Sequence, residues 1–318
     1  MIGIDVGGAN LKVVNESGVH IHYCPLWEHA PITSLLTPYV TTPEDPAAVV
    51  MSGELADSFS GKMQGISFIV DAVRAAFPSA RFYGMGGGFH DRAVPQLAAA
   101  NWLASADYLR NAYPDAVLLD IGSTTADIIP LARFETLTGL TDLLRLQKGY
   151  LLYTGMLRGN VATLLGSVRL NGIKTPVSSE YFATSADAHL VLDHIRADQY
   201  GCDTPDKKAK TKAASLRRLA RVVCADLEEI GEQGALQVAG QFWNVQRDLI
   251  CNQVRQVAAD SGARQVIIAG IGAPLFAREL GGTDLNEVLG PVADALPAYA
   301  VRELALGACQ PGSGTKKQ

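Results

Sequence analysis

Long apolar runs are missing from this sequence, because nowhere in its 318 residues do 18 consecutive apolar residues occur. A membrane-spanning helix needs about 20 such residues, so no membrane partner is expected. A basic field is missing as well, since 27 Lys and Arg stand against 32 Asp and Glu. Nucleic-acid binding depends on such a field, so nucleic acid is not an expected partner. The N-terminus also lacks the basic and apolar regions of a signal peptide.

Cysteines are few and form no recognisable pattern. The five are odd in number and contain no Cys-x-x-Cys pair: Cys24, Cys202, Cys224, Cys251 and Cys309. This favours reduced thiols in a cytoplasmic protein over a disulfide framework or a zinc site. With 48% hydrophobic and 19% charged residues, the composition is typical of a globular protein, and the length suggests two domains or one bilobed body.

The sequence does contain one pattern written twice. In each copy an apolar run ends in Asp and is followed by Gly, a small polar turn and a second apolar run. The copies are Ile2-Gly3-Ile4-Asp5-Val6-Gly7-Gly8-Ala9-Asn10-Leu11-Lys12 and Asp120-Ile121-Gly122-Ser123-Thr124-Thr125-Ala126-Asp127. A β-hairpin with so tight a turn can direct backbone N–H groups at an anion. Two such hairpins are expected to close on one polyphosphate, each with a carboxylate for a divalent cation.

A third element points to the same chemistry. Residues 266–269 form an apolar run that leads into Gly270 and Gly272, with a predicted helix start at Pro274. In this order the three motifs resemble the actin, sugar-kinase and Hsp70 superfamily. The resemblance implies an α/β, bilobed actin-like/Hsp70-like ATPase fold with two ribonuclease-H-like lobes around a cleft.

This resemblance leads to approximate domain bounds. Residues 1–132 are expected to form the first lobe with both hairpins, residues 133–311 the second lobe with the Gly-rich third motif, and residues 312–318 a disordered tail. Apolar periodicity predicts helices over about 58–77, 93–112, 183–197, 211–231 and 240–262.

Several polar side chains at these motifs are candidate ligands. Asp5, Asp120 and Asp127 are candidates for a metal such as Mg²⁺, although Asp at a strand end is also ordinary turn chemistry. Lys12 is either a phosphate contact or a solvated strand residue. Glu54 and Asp57, three residues apart, would share one side of a first helical turn as a catalytic pair or as acids that complement the helix dipole.

A narrower resemblance rests on longer strings. It is carried by the two hairpins and by five further strings: Met51-Ser52-Gly53-Glu54-Leu55-Ala56-Asp57, Ala98-Ala99-Ala100-Asn101-Trp102, Tyr153-Thr154-Gly155, Glu180-Tyr181-Phe182-Ala183-Thr184 and Cys202-Asp203-Thr204-Pro205-Asp206. They resemble the hydantoinase/oxoprolinase-related proteins of tetrahydromethanopterin-linked one-carbon pathways. Arg158-Gly159-Asn160 departs from the Arg-Thr-Pro expected in relatives.

The resemblance implies a transferase, because archaeal members of this group are furanylmethanamine synthases of methanofuran biosynthesis. They join the diphosphate ester of an aminomethyl-furanmethanol to the phenol of a glutamyl-tyramine, which forms an aryl ether and releases diphosphate. The acceptor could also derive from tyrosine. Two backbone turns and Mg²⁺ would neutralise the departing diphosphate.

The expected roles follow from this chemistry. The candidate catalytic carboxylates are Glu54, Asp57 and Asp120, with Glu54 or Asp57 as the base or substrate anchor. The candidate substrate contacts are Asn101, Trp102 and Arg158. Phosphate contacts are assigned to Gly7, Gly8, Asn10, Lys12, Gly122, Ser123, Thr124, Thr125, Gly270 and Gly272. The partners are small-molecule substrates, and a homodimer stays open.

Two other functions remain open at this point. One is an ATP-dependent small-molecule kinase or an amidohydrolase of the same superfamily, which would bind ATP or another nucleotide. Release of ADP from Mg²⁺ and ATP, stimulated by substrate, would favour it. The other is a non-catalytic nucleotide-sensing module, which would bind ATP and a partner protein without turnover.

Overall fold

A computed structural model describes residues 1–28 and 30–307 of the chain. The predicted tail at 312–318 and Cys309 lie outside the described residues. Two mixed sheets organise the described part, each with helices on its faces. None of the helices in this part is long and apolar enough to cross a membrane.

The first sheet has the order β3-β2-β1-β4-β5-β6. Its strands are β1 (Ile2–Val6), β2 (Asn10–Asn15), β3 (Gly18–Tyr23), β4 (Ala47–Met51), β5 (Arg81–Gly84) and β6 (Gly88–His90). β1, β2 and β3 form an antiparallel meander, whereas β4 runs parallel to β1 and β5 parallel to β4. β1 and β4 are buried along their whole length, which agrees with their continuous apolar sequences.

The second sheet repeats this arrangement in the order β13-β12-β7-β8-β9. The strands of this half of the chain are β7 (Ala116–Ile121), β8 (Ala126–Pro130), β9 (Leu151–Leu152), β10 (Ser167–Leu170), β11 (Ile173–Pro176), β12 (Gln265–Ala269) and β13 (Thr283–Asp284). β7, β8 and β9 are antiparallel, and β12 and β13 continue the sheet in parallel. β10 and β11 form a separate hairpin. The predicted fold, with two ribonuclease-H-like sheets, is therefore confirmed.

The helices connect and cover the sheets. They are α1 (Ile32–Leu36), α2 (Lys62–Ala76), α3 (Asn101–Leu109), α4 (Asp142–Lys148), α5 (Val161–Leu164), α6 (Ser185–Val191), α7 (Lys212–Arg221), α8 (Leu227–Ser261), α9 (Ala273–Leu280), α10 (Leu285–Leu289) and α11 (Leu296–Ala305). The predicted gap between helices at 231–240 is wrong. Gly231 has a left-handed φ of 66°, but the chain resumes its helical path because Ala235, Val238 and Phe242 pack into a core shared with α7.

A continuous apolar core joins the two sheets. It contains side chains of β4 and β5 from one sheet, of β7 and β12 from the other, and of α3 and α11. α11 belongs to the last part of the chain, yet it packs on β1, where a side chain at Gly3 would collide with the carbonyl of Ala298. The chain therefore crosses back to the first lobe after building the second.

The predicted lobe boundary at residue 132, which assigns the second hairpin to the first lobe, is wrong. β7 and β8, which form that hairpin, pair with β9 and β12 in the second sheet. The local pattern of the hairpin is correct, but its pairing partners lie about 25 and 150 residues further along the chain. Each lobe therefore contributes one hairpin.

Candidate active site

A cavity of about 520 Å³ lies where the two sheets face each other. Both hairpin turns line it, as does the third glycine motif. Of the residues predicted to act at the site, the cavity brings together Asp5, Gly7, Gly8, Asn10, Lys12, Asn101, Asp120, Gly122, Ser123, Thr124, Thr125, Asp127, Arg158 and Gly270. The sequence thus located the walls of the cavity, while the roles of these residues stay predictions.

The two turns have the same backbone geometry. The N–H of Gly7 donates to the carbonyl of Asn10 at 2.9 Å, and the N–H of Gly122 donates to that of Thr125 at 3.0 Å. Each turn is backed by another segment. Gly53 lies against the first turn and Gly155 against the second, so closely that a Cβ at either would meet turn backbone within 3.0 Å.

Strand register places a second charged residue beside each hairpin aspartate. Asp5 is paired with Lys12 across β1 and β2, and Asp120 with Asp127 across β7 and β8. Directly opposed residues on antiparallel strands project from the same face, so each pair forms a unit. The first hairpin presents an acid with a base, and the second presents two acids.

Asp5 and Asp120 are buried, and burial disfavours the charged form of a carboxyl group. Burial raises the pKa of Asp5 to about 6; Lys12 opposes this rise, and Asp127 adds to it. Burial also raises the pKa of Asp120 to about 7, with a further contribution from Asp127. Oδ1 of Asp5 is buried without a hydrogen-bond partner in the described part of the chain. A buried, unpartnered carboxylate oxygen indicates a missing ligand, such as a cation or a donor group.

Arg145 is a site residue that sequence reasoning missed. Only 3% of its side chain is exposed, and its guanidinium forms ion pairs with Asp127 and, at 2.9 Å, with Asp142. It also lies 4.3 Å from the ring centre of Trp102. Burial raises the pKa of the Asp127 carboxyl, and Arg145 opposes that rise. Nothing in its local sequence marks it, because it sits mid-helix in α4.

Gly270 and Gly272 pack against the second hairpin at Ile121. Gly270 has a φ of 83°, and a Cβ there would lie 2.5 Å from the carbonyl oxygen of Ile121 and 2.8 Å from Oδ1 of Asp120. Gly272 does not line the cavity; its N–H donates to the Ile121 carbonyl at 3.2 Å. Glycine at these positions therefore lets β12 approach the end of β7.

Three of the helices that begin at the cavity lack a side-chain cap, while a fourth, α4, opens there with Asp142 and is capped by Thr141. Asn101 opens α3, Leu296 opens α11, and Gly270 lies just before α9. None of these three helices has a side-chain cap on its first turn, whereas α4, α6, α7 and α8 do. Uncapped first turns leave backbone N–H groups and the positive end of the helix dipole available to an anion.

Besides Gly272, three predicted residues do not reach the cavity. Asp57 is exposed, and Glu54, only 2% exposed, lies behind the lining. The shared helical turn predicted for them is wrong, because residues 52–60 form turns and α2 begins only at Lys62. Burial raises the pKa of Glu54, and the N–H groups of Glu54 and Ala99 oppose that rise. Trp102 is buried beneath Arg145 and does not face substrate space.

Hydrogen bonds hold the loop Arg158-Gly159-Asn160, whose sequence departs from the expected Arg-Thr-Pro. The N–H of Gly159 donates to Oγ of Ser185 at 3.1 Å, and Oδ1 of Asn160 accepts from the N–H of Ala162 at 3.0 Å. Asn160 is thus the N-cap of α5. The loop is held by hydrogen bonds, and Arg158 keeps its place in the cavity lining.

A metal site made of protein ligands alone is not present in the described residues, since no group of three or more His, Cys, Asp or Glu could hold an ion. The cavity lining nevertheless contains six aspartates against three basic residues. A bound phosphate group would need additional positive charge there. A divalent cation would take most of its ligands from phosphate and water, which is common for Mg²⁺.

The buried aspartates predict a pH-dependent stability in metal-free buffer. Their folded-state pKa values, about 6 for Asp5 and about 7 for Asp120, lie above the unfolded value of 3.8. The unfolded chain therefore releases protons first, so stability present below about pH 4 is lost as pH rises through 6 and 7. We expect a lower melting temperature at pH 8 than at pH 5 in the presence of a chelator. The Asp5→Asn/Asp120→Asn double variant should show a smaller fall, and an equal fall would contradict the assignment.

Comparison with known proteins adds independent information. The hydantoinase/oxoprolinase family matches residues 45–302. A Methanocaldococcus jannaschii protein is 34% identical over 319 aligned positions, which cover 96% of this chain and 97% of that protein. It is named (4-{4-[2-(gamma-L-glutamylamino)ethyl]phenoxymethyl}furan-2-yl)methanamine synthase. A Methanococcus vannielii protein of the same name is 39% identical over 163 positions, 51% of this chain and 73% of that protein.

Among solved structures, nucleotide-free acetone carboxylase is similar in fold. The TM-score is 0.52 at 11% sequence identity, and the match covers 94% of this chain and 69% of that one. At this identity the likeness concerns the fold alone. It agrees with the two mixed sheets and the cleft between them.

Proposed function

Because the chain belongs to the hydantoinase/oxoprolinase family, and is similar along nearly its whole length to a furanylmethanamine synthase, we propose that it forms the furan–phenol ether of a methanofuran-type cofactor. The donor is the diphosphate ester of an aminomethyl-furanmethanol, and the acceptor is the phenol of γ-glutamyl-tyramine. The observation that carries this assignment is the full-length similarity. The facing hairpins supply a matching cradle for the diphosphate.

The reaction breaks the bond between the furfuryl carbon and the diphosphate oxygen. The electron pair leaves with the diphosphate, and positive charge on the carbon is delocalised by the furan ring. The phenol oxygen then bonds to that carbon, and its proton passes to the released diphosphate. The protein must therefore stabilise a leaving anion and align a phenol, without supplying electrons.

In this proposal, backbone N–H groups and Lys12 bind the leaving diphosphate. The turns at Gly7–Asn10 and Gly122–Thr125 and the uncapped start of α3 line the cavity, where their N–H groups would bind the diphosphate. Lys12, whose Nζ also donates to the carbonyl of Asp294 at 2.7 Å, adds a full positive charge. These donors are fixed before substrate binds, so they act without reorganisation.

Asp5 and Asp120 fit a Mg²⁺ ion between the lobes, since Asp5 has an unpartnered buried oxygen and the lining carries excess negative charge. When bound, Mg²⁺ would supply charge neutralisation for the diphosphate. Arg145 forms an ion pair with Asp127, which lies opposite Asp120, and opposes the rise that burial causes in the pKa of Asp127. Glu54 acts behind the lining, where the Ala99 backbone meets it, and we assign it a positioning role instead of the predicted role as a base.

The direct test is product formation from purified protein. With Mg²⁺, the furanmethanol diphosphate and γ-glutamyl-tyramine, we expect the aryl ether by mass spectrometry and an equal amount of diphosphate. The free furanmethanol should give no ether, because hydroxide is a poor leaving group. ATP should be unnecessary. Release of ADP stimulated by either substrate, without ether, would assign the protein to the kinase or amidohydrolase alternative.

A further inference from the structure

Arg158 differs from the other basic residues of the cavity. Lys12 is bonded to the carbonyl of Asp294, and Arg145 is paired with two aspartates. Within residues 1–28 and 30–307, Arg158 has no ion pair with a carboxylate, and its guanidinium lies 4.7 Å from the ring centre of Trp27. It is thus a cation held in place without being neutralised.

The contact with Trp27 also joins the two lobes. Trp27 follows β3 of the first sheet, and the neighbouring Leu26 N–H donates to the carbonyl of Gly8 in the first turn at 3.0 Å. Arg158 is anchored at the second turn, because its backbone N–H donates to the carbonyl of Ser123 at 3.0 Å. A guanidinium over an aromatic ring keeps the N–H donors at its edge available for a planar carboxylate.

The Arg158 guanidinium lies on the exposed side of the cavity, its rim, where it covers Trp27 near Tyr23, which is 45% exposed. Burial raises the pKa of the Tyr23 phenol, and the positive charge of Arg158 opposes that rise. At the floor of the cavity, which Asp5 and Asp120 form, Lys12 is the cation that opposes the rise in the pKa of both carboxyls. Lys12 thus acts at the buried aspartates, whereas the Arg158 guanidinium lies over Trp27, near the exposed Tyr23.

We propose that Arg158 binds the α-carboxylate of the γ-glutamyl group of the acceptor, with Trp27 holding the guanidinium in position. This inference rests on the proposed function. The phenol of the acceptor must reach the floor, where the donor carbon lies, so its glutamyl end extends towards the rim. That end carries a carboxylate, and Arg158 is a cation of the lining that has no ion pair among the described residues and lies over Trp27. Arg158 is accordingly a specificity determinant for glutamylated acceptors.

The test compares two acceptors of nearly equal size. One is γ-glutamyl-tyramine, and the other is its neutral analogue in which the α-carboxylate is a carboxamide. The unaltered protein should prefer the carboxylate by about 10- to 100-fold in KM, the usual worth of a charged hydrogen bond. Arg158→Gln should abolish that preference, with the KM of the donor and the kcat unchanged within a few fold. Arg158→Lys should restore part of it, since Lys keeps the charge but not the fork.

Three results would overturn the inference. Equal KM values for both acceptors with the unaltered protein would show that the carboxylate is not recognised. A raised donor KM in Arg158→Gln would place Arg158 at the diphosphate. An equal loss of kcat with both acceptors would indicate a structural role, which the melting temperature and the Trp27→Phe variant would check. Failure of the proposed function gives a different result, namely no ether from either acceptor.

Discussion

Replacement of Asp120 by Asn should slow ether formation by about a hundredfold or more, the scale of losing one charge-stabilising group in a preorganised site. Asn keeps the size of Asp and its preference for turns, so the hairpin should still form. Asp5→Asn should have a similar effect, because both carboxyls line the same cavity. If both act on one ion, the double variant should lose less than the product of the single losses. The measurement is kcat/KM for the donor at limiting Mg²⁺.

An exposed aspartate provides the control. Asp193 lies on the surface with a φ of 60°, which Asn tolerates, and forms an exposed ion pair with Lys212. Asp193→Asn should leave both activity and stability nearly unchanged, since exposed pairs contribute little. Near-normal rates in both Asp5→Asn and Asp120→Asn would remove the metal assignment. The two carboxyls would then be turn residues only.

Gly270→Ala should reduce kcat by about a hundredfold, because a shift of roughly 1 Å in a catalytic group can cost that much. An added Cβ would lie 2.8 Å from Oδ1 of Asp120 and 2.5 Å from the backbone of Ile121, so the carboxylate must move. The substitution should also lower stability, since it combines overpacking with an unfavourable positive φ. Activity is therefore measured well below the melting temperature of the variant.

Gly281→Ala separates these two causes. Gly281 has a φ of 64°, but a Cβ there would have no neighbour within 4 Å. Its cost should be backbone strain alone, about 1–2 kcal/mol, with normal kcat. Equal kcat losses in Gly270→Ala and Gly281→Ala would mean that strain, and not displacement of Asp120, limits the reaction.

Local patterns in the sequence were enough to predict the hairpins. An apolar run, a small polar turn and a second apolar run fix the strand pairing between near neighbours, so the register of Asp5 with Lys12 follows directly. The same pattern could not identify the sheet to which the second hairpin belongs. That depends on β12, which pairs with β7 from about 150 residues away.

The missed and misplaced residues share one cause. Arg145 becomes part of the site only because α4 packs over Trp102 and reaches Asp127, which lies 18 residues earlier. Glu54 was assigned by helical spacing, yet close packing of Gly53 on the first turn holds that segment out of a helix. Both outcomes depend on tertiary contacts, which the spacing of residues along the chain does not contain.

The uncapped helix starts have a consequence for how this cavity can be probed. A scan that truncates each lining side chain in turn would leave the first turns of α3, α9 and α11 intact, because their N–H groups belong to the main chain. Loss-of-function maps would then emphasise the aspartates and Lys12 and understate the attraction for anions. An inhibitor with a phosphate-like group would bind these main-chain N–H groups. Side-chain substitutions that confer resistance would therefore weaken that part of the inhibitor least.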